Sequence, residues 1–144
     1  MITGRHEGER GQALVEFAMT IPVVFMVIFA IIDFGRSLYT YDLVTSAARV
    51  GSRYAIVHGS ACTPAPGCTA SSAGIQTFVR STVTGVDSST LNVTATWPAV
   101  LGCPGGSATP GCPVLVTITY PFKYILSFNL TVTMTSTSQM VISR

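Results

Sequence analysis

Charge is what this chain has least of. Only 10% of its residues are Asp, Glu, Lys or Arg, against 48% hydrophobic, whereas a soluble domain carries about 25% charged residues. Together with a mean hydropathy of +0.52, that scarcity excludes a chain solvated throughout by water. The net charge of +2 comes from eight basic and six acidic residues spread along the sequence. No basic face large enough for a nucleic-acid backbone results, so nucleic acid is not an expected partner. Acids and histidines are missing where catalysis needs them: Asp87 is the only acid after Asp42, and no histidine follows His58. Neither a triad nor a carboxylate pair can be assembled there, so no enzyme, catalytic residue or cofactor is expected. There is no C-x-x-C pair, and neither His6 nor His58 stands at ligand spacing from a cysteine. A zinc site is therefore not expected either. No internal repeat of about 20–50 residues occurs, which removes solenoids and propellers.

What is present is unevenly distributed. With 144 residues the chain has room for one domain of about 100–150 residues that includes or adjoins one membrane span. Residues 1–11 are polar and charged, 13–34 almost wholly apolar, 35–57 amphipathic, and 58–144 rich in Thr, Ser, Gly, Pro and Val. From Phe17 to Ile32 there are 16 consecutive uncharged residues, and Ala13, Leu14 and Val15 extend the run back around Glu16. As a helix, residues 13–34 would measure about 33 Å, enough to cross a hydrocarbon core of about 30 Å. Glu16 and Asp33 then stand near its two ends. Pro22 removes one backbone hydrogen bond and should kink or loosen the helix, which membrane spans tolerate. A cleaved secretory signal fits less well, since Asp33-Phe34-Gly35-Arg36 follows the run and no A-x-A site does. A buried core helix is the other alternative.

Beyond Gly35, Leu38, Tyr41, Val44, Ala48 and Ala55 recur at helical spacing, and the helix should continue to about Val57, where His58-Gly59-Ser60 stops it. Ala47, Gly51 and Ala55 fall four apart and would admit another backbone closely. The plainer expectation is that they face the chain's own sheet.

The most specific motif is Gly11-Gln12-Ala13-Leu14-Val15-Glu16-Phe17, set between the charged stretch RHEGER and the apolar run. It resembles the recognition site of prepilin peptidases. With Ala18, Pro22, Asp33-Phe34-Gly35-Arg36 and Ala47-Ala48-Arg49, it looks like the N-terminal region of TadE-like proteins, the pseudopilins or minor pilins of the tight-adherence (Tad, or Flp) pilus. The marked similarity covers about residues 10–55, and VTITYPF later in the chain is also similar. The resemblance implies a leader of residues 1–11, cleavage between Gly11 and Gln12, and Glu16 as the fifth mature residue. Gly11, Gln12, Glu16 and Phe17 would be the processing site, and Glu16 and Pro22 would serve assembly. A carboxylate near the end of the hydrocarbon is costly unless paired, and the implied partner is the freed amine of a neighbouring subunit. Prepilin peptidase, other pilin or pseudopilin subunits, an inner-membrane assembly platform and membrane lipid are the implied partners. A plain alternative for Glu16 is an acid in a first helical turn, favoured by the helix dipole.

Glu7 and Glu9 beside Arg5 and Arg10 leave the leader only modestly positive, and Arg36, Arg49 and Arg53 lie across the span, so charge does not set the orientation. The leader and the cysteines both argue for a cytoplasmic N-terminus. Cys62 and Cys68 bracket one turn-rich stretch, and Cys103 and Cys112 another. Three pairings are possible; the two local bridges are favoured because each closes a short loop, and such bonds persist in oxidising compartments. Between the cysteine loops, residues 71–83 read as a helix capped by Ser71 or Ser72, with Ile75, Phe78, Val79 and Val83 as its stripe and Gly85 at its end. Leu91, Val93, Ala95 and Trp97, then Val114, Val116, Ile118 and Tyr120, then Leu130, Val132 and Met134 alternate as strands. Tyr120, Phe122, Tyr124 and Phe128 are either core or an adhesive surface. The expected architecture is α+β and pilin-like: a long N-terminal helix (12–57, transmembrane over about 13–34) packed on an exported domain (58–144) with one helix and a three-stranded, mainly antiparallel sheet. The resemblance implies a structural subunit of pilus assembly serving adhesion and surface colonisation. The alternative is a permanently membrane-anchored accessory or binding protein that does not polymerise.

Overall fold

A backbone surrounded by hydrocarbon satisfies its own polar groups most simply as a helix, and the apolar N-terminal third forms one. The computed structural model describes residues 6–62, 68–106, 108–126 and 130–143. Helix α1 runs from His6 to Val57, 52 residues, without a break at Pro22. It begins ahead of the expected start at Gln12, because no proline stands there to stop it and extending an existing helix costs little. Its hydroxyls turn back on the helix: Thr20 Oγ1 donates to the Glu16 carbonyl at 2.8 Å, and Thr40 and Thr45 bond likewise to Arg36 and Tyr41. In lipid, such a bond leaves no hydroxyl unsatisfied.

Helix α2, Ser72–Thr82, is capped by Ser71, whose Oγ accepts the Gly74 N–H at 3.0 Å. It buries Ile75 and Val79. Strands β1 (Asn92–Thr96), β2 (Pro113–Lys123) and β3 (Thr131–Val141) form one antiparallel sheet in the order β1-β2-β3. The two helices lie on one face. There Val44, Ala47, Ala48 and Ala55 of α1 meet Ile75 and Val79, with Val93, Ala95, Val114, Val116 and Ile118 from the sheet. Thr117 and Thr137 bond across the other face, with their hydroxyls 3.2 Å apart. The architecture is α+β, as expected.

The β2–β3 hairpin lies lengthwise on α1. At its far end Ser143 donates both its amide and its hydroxyl to the Ile56 carbonyl, each at 3.0 Å; at mid-height the Ser52 and Ser138 hydroxyls are 2.9 Å apart; at its near end the chain reaches Asp33. The segment from Asp33 to Ile56 measures about 35 Å as a helix, and an eleven-residue strand about 36 Å. Helix and hairpin therefore match in length. Two expectations need correction. Leu38 and Tyr41 are exposed rather than inward, because the stripe that meets the sheet passes through Asp33, Thr40, Val44, Ala47, Ala48, Ser52 and Ala55. Leu130 and Val132 were expected on the covered face, yet they are 53% and 40% exposed, since they belong to the hairpin's near end, below most of the core.

Candidate functional site

From Gly11 to Ile32 no side chain is buried. Among the described residues α1 is the one helix long and apolar enough to cross a membrane, with a most apolar window of mean hydropathy 2.5, none of it covered by the rest of the chain. A core helix would have that surface packed away, so the core-helix alternative fails. The arrangement is that of a single-pass membrane protein.

The residues expected to act in processing and assembly all lie on this bare half. Gly11, Gln12, Glu16, Phe17 and Pro22 are all exposed. The Gly11–Gln12 peptide bond lies inside α1. The backbone carbonyl of Glu16 accepts from Thr20; its carboxylate has no partner among the described residues. A carboxylate so placed beside hydrocarbon is a group in want of one.

A second constellation was not foreseen. Asp33 is only 3% exposed, and its carboxylate sits over the start of the β2–β3 connection. Oδ2 accepts the N–H of Ile125 at 2.9 Å and that of Leu126 at 2.8 Å, and Oδ1 accepts Ile125 at 3.1 Å. Arg36 donates to Oδ1 at 3.4 Å, and its guanidinium lies 5.4 Å from the centroid of the Phe122 ring. One acid thus ties the end of the apolar run to a loop more than ninety positions along the chain. The readable hint was an acid within D-F-G-R directly after a membrane-length apolar run; its partners, being backbone amides, leave no mark in a sequence.

The cysteines lie towards the opposite end of the domain. Cys62 with Cys68, and Cys103 with Cys112, stand at disulfide distance, each with Cα atoms 5.6 Å apart. A cavity of about 450 Å³ beside Arg36 is lined by Tyr39, Thr40, Asp87, Tyr120 and Lys123 among others. Its acid is already engaged, because the hydroxyl and amide of Ser89 both donate to Asp87 and hold its carboxyl below the usual carboxylate range. Phe122 is core at 3% exposed, which removes it from any adhesive surface. Phe128 lies outside the described residues.

The chain is thus a long N-terminal helix, bare over its first half, whose second half packs on a small α+β domain. Residues 11–53 match the family model described as TadE-like protein, so the resemblance read from GQALVEF through Ala47-Ala48-Arg49 is borne out over that stretch. The matched stretch lies wholly within α1 and leaves the sheet and α2 outside it. No curated protein and no solved structure matches the chain.

Proposed function

We propose that this chain is a pseudopilin or minor pilin of a Tad/Flp-type pilus, cut by a prepilin peptidase between Gly11 and Gln12 and then packed by α1 against other subunits. The observation that carries this reading is Glu16, an unpartnered carboxylate at the head of an uncovered apolar helix, within the stretch that matches TadE-like proteins. Cleavage would expose the amine of Gln12, and the amine of one subunit would neutralise Glu16 of the next while fixing their axial register. Because the scissile bond lies in a helix, it must open locally before cleavage. Gly11 eases this, as glycine costs a helix about 1 kcal/mol relative to alanine. Until assembly, α1 holds the protein in the inner membrane with its N-terminus in the cytoplasm and residues 58–144 outside, where the two cysteine pairs are oxidised.

Intact-mass analysis of the protein from its host membrane tests the first step: the mature chain should begin at Gln12, and retention of Met1 through Gly11 would sink the proposal. Glu16→Ala should then be cleaved normally yet be lost from surface filaments. Normal filament content would leave Glu16 with a helix-dipole role alone and would favour the non-polymerising accessory protein.

A further inference from the structure

Asp33 fixes a height as well as a contact. The apolar run ends at Ile32, so in the membrane-spanning reading of α1, on which this inference rests, Asp33 stands at the boundary of the hydrocarbon. The amides of Ile125 and Leu126 are hydrogen-bonded to its carboxylate at 2.8–3.1 Å. The start of the β2–β3 connection therefore lies at that same boundary. Its side chains are not turned into the core: Ile125 is 51% exposed, Leu126 39% and Leu130 53%. They adjoin the bare helix directly, since Leu126, Leu130 and Tyr124 line a shallow groove with Ala30 and Phe34 of α1.

We infer that the near end of the β2–β3 hairpin is a second membrane contact, a wedge that seats Ile125, Leu126 and Leu130 in the interface of the leaflet on the domain's side. The occupant of this apolar surface is lipid. Continuity with the span is the first argument: no protein partner could cover the groove without also displacing lipid from Ala30 and Phe34. Chemistry supplies the second. Tyr39 and Tyr41, exposed one to two turns beyond Phe34, and the half-buried Tyr124 place phenols where tyrosines concentrate in membrane proteins. Arg36 and Lys123 stand at the same level with exposed side chains, where lipid phosphates lie and where the stems of basic residues can rest on apolar surface. The Asp33 carboxylate makes the arrangement tolerable, because the two loop amides that would otherwise meet the low-dielectric boundary unpaired are bonded to it. The domain would then be held to the bilayer at two points, and so keep a fixed tilt rather than swing about α1.

Single-tryptophan quenching in the full chain tests this. Trp97 has no hydrogen-bond partner for its indole N–H among the described residues, so Trp97→Phe breaks no such bond and gives a silent background. Leu126→Trp, Leu130→Trp, Phe29→Trp and Leu101→Trp are then introduced one at a time. Each variant is reconstituted in vesicles of phosphatidylcholine and phosphatidylglycerol containing acyl-chain-brominated lipid. Phe29→Trp reports the span, and Leu101→Trp reports the far, fully exposed loop. Quenching at residues 126 and 130 should exceed that at residue 101 by at least about twofold, since interfacial side chains sit about 5–10 Å into the headgroup and acyl boundary. If residue 29 is quenched while residues 126 and 130 behave like residue 101, the wedge is overturned and the span stands. If residue 29 is not quenched, the span reading fails and takes the wedge with it. Shielding of residues 126 and 130 that grows with protein-to-lipid ratio would assign the surface to a second copy of this chain and likewise overturn the proposal.

Discussion

At the scale of single residues, Asp33 and Glu16 make an instructive pair. Both are acids flanking one apolar run, yet Asp33 has found partners within the chain and Glu16 has none among the described residues. Their roles should therefore separate on substitution. Bonds to a charged acceptor are stronger than those between neutral groups, and removing the acceptor leaves buried donors bare. Asp33→Ala should thus free the amides of Ile125 and Leu126. Hydrogen exchange there should accelerate by at least about tenfold, the factor set by losing one charge-assisted bond. Exchange at Val116 and Thr117, in the middle of β2, should hold. Unchanged exchange at Ile125 and Leu126 would show that the carboxylate does not hold the loop.

At the scale of elements, what decides the packing of α1 on the sheet is size. Ala47, Ala48, Gly51, Ser52 and Ala55 line the covered stripe, and a Cβ at Gly51 would come within 3.0 Å of Val79 Cγ2 and 3.1 Å of Val116 Cγ1. Both neighbours are fully buried and β-branched, so they have little freedom to yield. Gly51→Val should destabilise the domain by about 1–3 kcal/mol, the usual range for overpacking. Gly51→Ala should cost less, because alanine regains about 1 kcal/mol of helix propensity. Thermal unfolding in detergent, followed by near-UV dichroism, would read the difference; an unshifted midpoint for Gly51→Val would contradict the close approach. The spacing of Ala47, Gly51 and Ala55 already predicted this face, just as Ser71 marked the start of α2 and period-two alternation marked the strands, because each of those signals is local. The latch that Asp33 forms on the amides of Ile125 and Leu126 was not legible in that way. Asp33 could be placed at the end of a span, but its partners are amides, and every residue except proline carries one. Leu130 and Val132 misled for a related reason: alternation shows that two side chains share a face, whereas whether anything covers that face depends on how far the helices reach over it.

The molecule as a whole divides at Asp33 into a shorter apolar segment and a longer part that folds. Among the described residues, every member of the buried core, from Val44 to Ile142, lies beyond that point. A chain of residues 33–144 would keep the whole core, the latch and the serine contacts at Ser52 and Ser143, losing only surface that water had to be kept from. Phe34, Gly35 and Arg36 at the new helix end are exposed, so solvent can satisfy the amides that a shortened helix leaves unpaired. Among the described residues, the exposed large apolar side chains at the hairpin's near end, Ile125, Leu126, Leu130 and Val132, are fewer than those along the span. This truncated chain should therefore be monomeric without detergent, unfold cooperatively and keep the near-UV signal of Trp97. Aggregation, or unfolding without a cooperative transition, would mean that residues before Asp33 support the fold. Cooperative unfolding would instead show that the domain beyond Asp33 folds without the apolar first half of α1, as the absence of that segment from the buried core among the described residues implies.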